Sequence, residues 1–225
     1  MTPMPESGVR EPLVLLTGFE PFDGEAINPS AEVVHMLDGQ CVAAHRIVGA
    51  VLPVAFASTL PLLEHLIERH RPVLAIALGQ AGGRSEISIE RIALNLVDAR
   101  IPDADGLQPV DVAVIDGAPF ACSTQLPAKA IALHLRALGI PAALSLSAGS
   151  YVCNQVFFAL VQLLGARLPH ARGGFVHLPW LPSQVVERPG QPSMALATMV
   201  EGVRAAIECA LATPHDLQVA GGATH

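Results

Sequence analysis

Residues 144–160 read LSLSAGSYVCNQVFFAL. The run AALSLS (142–147) has the compact apolar character of a buried strand, and SYVCNQVFFALVQLLGA (150–166) has the length and all-round apolarity of a buried helix. Small residues join the two, which suits a tight turn. A strand feeding a helix through a short turn is half of a βα unit in a parallel sheet. With a helix start near Ser150 or Tyr151, Cys153 falls in the first helical turn. Unpaired backbone N–H groups and the positive end of the helix dipole favour an anion there. A thiolate is the reactive form of cysteine, and the same N–H groups can hold the oxyanion of a tetrahedral intermediate. The plain alternative is a cysteine serving as a small core hydrophobe. On local pattern alone both readings stay open.

Outward from this stretch the same alternation continues. Strand-like runs occupy 13–19, 45–54, 72–79, 87–96, 142–147 and 173–179. Several are apolar throughout, as strands covered on both faces are. Helical periodicity fits 28–39, 56–71, 126–139, 150–166 and 193–212, and short strands with hairpin-like excursions are expected between Ile87 and Ala121. The expected fold class is α/β: a single-domain three-layer α/β/α sandwich around a largely parallel, mixed central sheet. Residues 13–213 form that domain, between a flexible N-terminus (1–12) and a flexible C-terminal tail (214–225).

Composition narrows the function. In 225 residues 51% are hydrophobic, 15% are charged and the net charge is −7, with no Lys/Arg cluster, which argues against a nucleic-acid surface. No charge occurs between Arg136 and Arg167, but Pro141, Gly149, Asn154 and Gln155 interrupt that segment. Its unbroken part is too short for the roughly 20 apolar residues of a membrane span. MTPMPESGVREP has no apolar signal-peptide region, so a reducing cytoplasm with free thiols is expected. Cys41, Cys122, Cys153 and Cys209 lack metal-ligand spacing. EHLIERH (64–70) is neither HExxH nor HxxEH, so no metal site is expected.

Among nine histidines, His177 is the best base: it closes the strand GGFVH at the edge where Cys153 emerges if the sheet is parallel. Glu90 follows a Gly-rich loop in a strand-like context, as an orienting carboxylate for His177 or as an ordinary ion-pair partner. Cys122, in the turn ACSTQLP, is the rival nucleophile. The loop GQAGGR matches no phosphate-binding pattern, although a phosphate-using transferase is one competing reading and a non-catalytic peptide-binding protein another.

Five stretches then assemble in order: TGFEPFDGEAINPS (17–30), GQAGGRSEISIERIALN (79–95), DARIPD (98–103), SLSAGSYVCNQVFF (145–158) and GGFVHLPWLP (173–182). In these the chain resembles the pyroglutamyl-peptidase I (pyrrolidone-carboxylate peptidase) family of cysteine peptidases. The resemblance implies Cys153 as nucleophile, His177 as general base and acid, and Glu90 as the group orienting the imidazole. It further implies Phe19 and Phe22 as walls around a pyroglutamyl ring, Gln80 as a polar contact and Arg100 as an aid at the oxyanion. No cofactor is implied. A homotetramer acting on N-terminally pyroglutamylated peptides is. Asp23 stands where the family commonly has glycine, and Ser150 where threonine is usual.

Overall fold

A computed structural model describes residues 11–222. In chain order the elements are β1 (Leu13–Phe19), α1 (Pro29–Leu37), β2 (Cys41–Val42), β3 (His45–Leu52), α2 (Phe56–His70), β4 (Leu74–Gln80), β5 (Ile87–Glu90), β6 (Ile92–Leu94), β7 (Ala121–Ser123), α3 (Ala128–Ala137), β8 (Ala142–Ser145), α4 (Val152–Arg167), β9 (Arg172–Leu178) and α5 (Leu196–Ala212). Seven strands form one sheet in the order β2-β3-β1-β4-β9-β5-β8, and β6 pairs with β7 apart from it. Neighbours are parallel from β3 through β1 and β4 to β9, and again between β5 and β8. β2 against β3 and β5 against β9 are antiparallel. The sheet is therefore mixed and mostly parallel, as expected.

Strand alternation sorts the core into two layers. Leu74, Ile76 and Leu78 face α1, α3 and α5, whereas Ala75 and Ala77 face α2 and α4. Both faces are apolar because helices cover both. On the α4 side the sheet is small-grained: a Cβ on Gly173 would lie 2.4 Å from Leu164 Cδ1, so glycine there lets the helix settle close to β9. Phe157 and Phe158 of α4 are fully buried in that layer.

Where boundaries differ from the sequence reading, a backbone event explains most of them. The run 87–96 is two strands: at Arg91 the N–H still bonds Ser145 O on β8, but the carbonyl accepts from Thr124 N, and the chain leaves for the β6–β7 pair. β3 stops at Leu52 before Pro53, which lacks a donor. α4 starts at Val152 because Tyr151 is extended (φ −102, ψ −164). α5 starts at Leu196 rather than Ser193, with Met194 N bonded to Trp180 O. Of the termini expected to be flexible, 1–10 and 223–225 lie outside the described residues. Asp216 accepts hydrogen bonds from Lys129 N and Ala130 N at the start of α3, and Lys129 Nζ donates to Val219 O. No helix among the described residues is long and apolar enough to cross a membrane.

Candidate active site

The turn that leads into Cys153 is built by bonds that sequence proximity does not suggest. Gly149 adopts φ +82, a conformation glycine holds without strain. Ser150 and Asp98 exchange Asp98 N→Ser150 O (2.9 Å) and Ser150 Oγ→Asp98 O (2.8 Å), and Tyr151 OH donates to Pro102 O at 3.0 Å. The DARIPD stretch thus braces the turn. Its last residue, Asp103, caps α2 by accepting from Phe56 N at 2.7 Å. Fully buried Asn154 accepts from Leu94 N at 2.9 Å and donates to Leu94 O and Leu96 O, both at 2.8 Å. The asparagine beside Cys153 therefore docks the first turn of α4 onto β6.

Cys153, the second residue of α4, points its thiol at the sheet where Gly79 leaves room: a Cβ on Gly79 would lie 3.0 Å from Sγ. Gly79 is the register partner of His177 on β9, so thiol and imidazole occupy neighbouring places on one face. His177, 4% exposed, has Nδ1 2.7 Å from Glu90 Oε1 and its ring centroid 4.8 Å from that of Phe175. Glu90 is fully buried at the end of β5, just past the antiparallel pairing of Ser88 with His177. Glu90 Oε1 also accepts from Arg84 Nη1 at 2.8 Å. Glu90 Oε2 is enclosed without a hydrogen-bond partner among the described residues. The Ser145 hydroxyl, across the register, lies near enough to favour the charge but bonds Ser147 O at 3.2 Å instead.

Electrostatics follow from this enclosure. For Glu90, burial acts to raise the pKa, but the bond from His177 and the contributions of Ser145 and Arg84 outweigh it and hold the carboxyl below its ordinary value. Burial lowers the His177 pKa, and the Glu90 partnership opposes this only in part. The Cys153 thiol, which borders the slot, is pushed up to about 12 by burial and then by the Glu90 charge, against Arg84 and the backbone N–H at the helix start. The backbone N–H at the helix start does favour the thiolate, but burial and the Glu90 charge outweigh it, contrary to the anion expected there from the local pattern. The resting group is a neutral thiol beside a neutral imidazole whose Nδ1–H is turned to Glu90, which leaves Nε2 free to accept a proton.

The remaining predicted residues line two connected spaces. Phe19 N bonds Ser30 Oγ and Asn28 Nδ2 bonds Glu20 O, which tie the phenylalanine loop to the start of α1. Phe19 packs on Phe175 (centroids 6.4 Å) and Phe22 on Tyr151 (6.4 Å). Phe19, Phe22, Gln80 and Tyr151 wall a narrow slot that reaches Cys153. Gln80 Oε1 accepts from Gln184 Nε2 at 2.8 Å, which turns the Gln80 amide N–H₂ away from Gln184. Arg100 stands apart from the buried group: it is exposed and lines an outer groove of about 500 Å³ that shares Phe22, Gln80 and Tyr151 with the slot. Cys122 is on β7, Cys209 on α5 and Cys41 on β2, and none borders the slot. Among the described residues no three His, Cys, Asp or Glu gather as metal ligands. Sequence reading missed Arg84, Asn154 and Gln184; the first two lie inside the quoted motifs, and Gln184 carries no local signal.

A thiol, an imidazole and a carboxylate brought together on one face of an α/β sheet, below a slot, are the equipment of a thiol hydrolase. Comparison with known proteins gives the class its family. Residues 13–213 match the pyroglutamyl peptidase family model. The chain is 50% identical to pyrrolidone-carboxylate peptidase 1 of Ralstonia nicotianae, covering 95% of this chain and 100% of that one. It is 51% identical to the pyrrolidone-carboxylate peptidase of Klebsiella pneumoniae, covering 94% and 99%. Among solved structures, pyroglutamyl peptidase I of Bacillus amyloliquefaciens superposes with TM-score 0.89 at 42% identity, covering 92% and 100%. The pyrrolidone carboxyl peptidase of Thermococcus litoralis does so with 0.91 at 36%, covering 93% and 99%. The chain belongs to the pyroglutamyl peptidase family, cysteine peptidases that remove an N-terminal pyroglutamyl residue.

Proposed function

We propose that Cys153, His177 and Glu90 carry the hydrolysis, within a catalytic unit formed by residues 13–213. The observation that supports this most is the buried 2.7 Å contact between His177 and Glu90 at the register neighbour of Gly79, over which the Cys153 thiol lies. Because the thiol is neutral at rest, its proton passes to His177 Nε2 as sulfur bonds to the pyroglutamyl carbonyl carbon. The oxyanion so formed faces the free N–H groups of the first turn of α4; loss of one such donor typically costs about 3–4 kcal/mol of barrier. As the C–N bond breaks, His177 gives that proton to the departing amine. Water then adds to the thioester with its proton taken by His177, and the thiol is regenerated as pyroglutamate leaves. Glu90, ionised throughout, fixes the tautomer and stabilises the transient imidazolium.

Phe19, Phe22 and Tyr151 form an aromatic slot for a flat uncharged lactam, with Gln80 at its rim and Arg100 an outer aid to the oxyanion. An N-terminal proline would carry an unpaired cation into the same slot and leave lactam-directed bonds unmade, both costly. Two coarser features join the proposal. The protein works in the cytoplasm, which four free cysteines support. It works as a homotetramer, which the exposed Val110, Val112 and Phe120 support as contact surface. Release of a fluorescent amine from a pyroglutamyl amide, with a prolyl amide as control, tests the chemistry. The wild type turns over only the first, and Cys153→Ala neither; equal turnover by the variant would remove Cys153 as nucleophile.

A further inference from the structure

The slot at Cys153 is narrow, but the groove that adjoins it through Phe22, Gln80 and Tyr151 is not. An enzyme that removes one terminal residue must house the rest of the peptide beyond the scissile bond, and this groove of about 500 Å³ is the space next to the slot. Its charges are unevenly satisfied. Glu25 is taken by Arg188, which lies 4.8 Å from the centroid of the Trp180 ring, and by Gln184. Asp23 and Asp98 line the same groove with no cationic partner among the described residues. Arg100 is the one groove cation without a carboxylate partner among those residues.

Asp23 is the more telling of the two. It holds φ +53 directly before Gly24 at φ +76, a left-handed conformation that glycine would adopt at lower cost. An aspartate takes this conformation more readily than most side chains do, and here it places a carboxylate on the groove wall. The Tyr151 hydroxyl, whose pKa is raised first by burial and then by the charges of Asp103 and Asp23, registers that carboxylate at the junction of slot and groove.

We propose that this groove is the leaving-peptide subsite, and that Asp23 and Asp98 make it favour a cationic side chain in the first two residues after the pyroglutamyl group over an acidic one. The assignment rests on the hydrolase reading of Cys153. Exposed ion pairs are each worth up to about fivefold, and repulsion of an acidic side chain widens the gap. Arg100, at the same groove, offsets part of it.

The test compares kcat/KM for pyroglutamyl-Lys-Ala amide and pyroglutamyl-Glu-Ala amide with the full chain, reading released pyroglutamate at low and high salt. The lysine substrate is favoured about tenfold at low salt, and salt narrows the gap. Asp23→Asn and Asp98→Asn each reduce the preference to about threefold. A wild-type ratio of one or below, or a ratio that neither variant changes, overturns the proposal. A pyroglutamyl amide with an uncharged fluorescent leaving group separates the two readings. No turnover of that probe by folded, reduced enzyme defeats the hydrolase assignment itself, whereas turnover without charge discrimination defeats only the subsite.

Discussion

Arg84 shows how much a single side chain outside the reacting group controls here. It shares Glu90 Oε1 with His177, and its charge lowers the pKa of both His177 and Cys153. Replacing it with glutamine therefore moves both pKa values upward. The proposed mechanism needs His177 neutral, so the acidic limb of the kcat/KM profile of Arg84→Gln shifts to higher pH, and Cys153 alkylation, followed on its own peptide, needs more alkaline solution. Arg84→Lys restores part of both shifts. A lower rate with an unmoved profile would reduce Arg84 to a structural ion pair. Cys153, His177 and Glu90 stood out as candidates in the sequence because each sits at a turn or strand end inside a distinctive motif. The state of the thiol was not legible: a helix start favours thiolate wherever it occurs, whereas its enclosure against the sheet at Gly79 and the charge of Glu90, which oppose it, come from distant segments.

At the scale of elements, α4 illustrates a helix held by one polar residue. Its apolar surface would suit many packings, and Asn154 selects one by closing three hydrogen bonds with the backbone of β6 and the residues after it. Asn154→Ala leaves a buried N–H and two carbonyls without partners, a loss of roughly 3 kcal/mol. At this chain length that lowers Tm by about 6–12 °C, measured by thermal circular dichroism. Turnover falls with it, because the same turn aims Cys153. A melting point within two degrees of wild type would show that water replaces those bonds. The break of 87–96 into β5 and β6 belongs to the same scale. ISIERIALNL carries strand propensity throughout, and only the competing partners Ser145 and Thr124 divide it at Arg91.

For the whole molecule, helix ends are finished by distant segments. α3 begins after Pro127, which offers no side-chain cap, and Asp216 supplies one from 87 positions away. Arg172 on β9 likewise donates to Thr213 O and Ala210 O at the end of α5. Asp216→Ala removes a cap worth about 1 kcal/mol, and Tm drops by about 2–4 °C while kcat/KM for a pyroglutamyl amide holds. An unchanged Tm would mean the segment after α5 adds nothing to the fold. The alternation of apolar strands with periodic helices, the turn at Gly149 and the motif order all arise within windows of ten or so residues; these carry the α/β sandwich and, through the family resemblance, the three candidate side chains. The antiparallel run of β5 beside β9, the neutral resting thiol, the Asn154 tether and the caps from Asp103 and Asp216 rest on partners nearly 50 or more residues apart. Burial and hydrogen bonding depend on which segments meet, and that is decided only when the chain closes on itself.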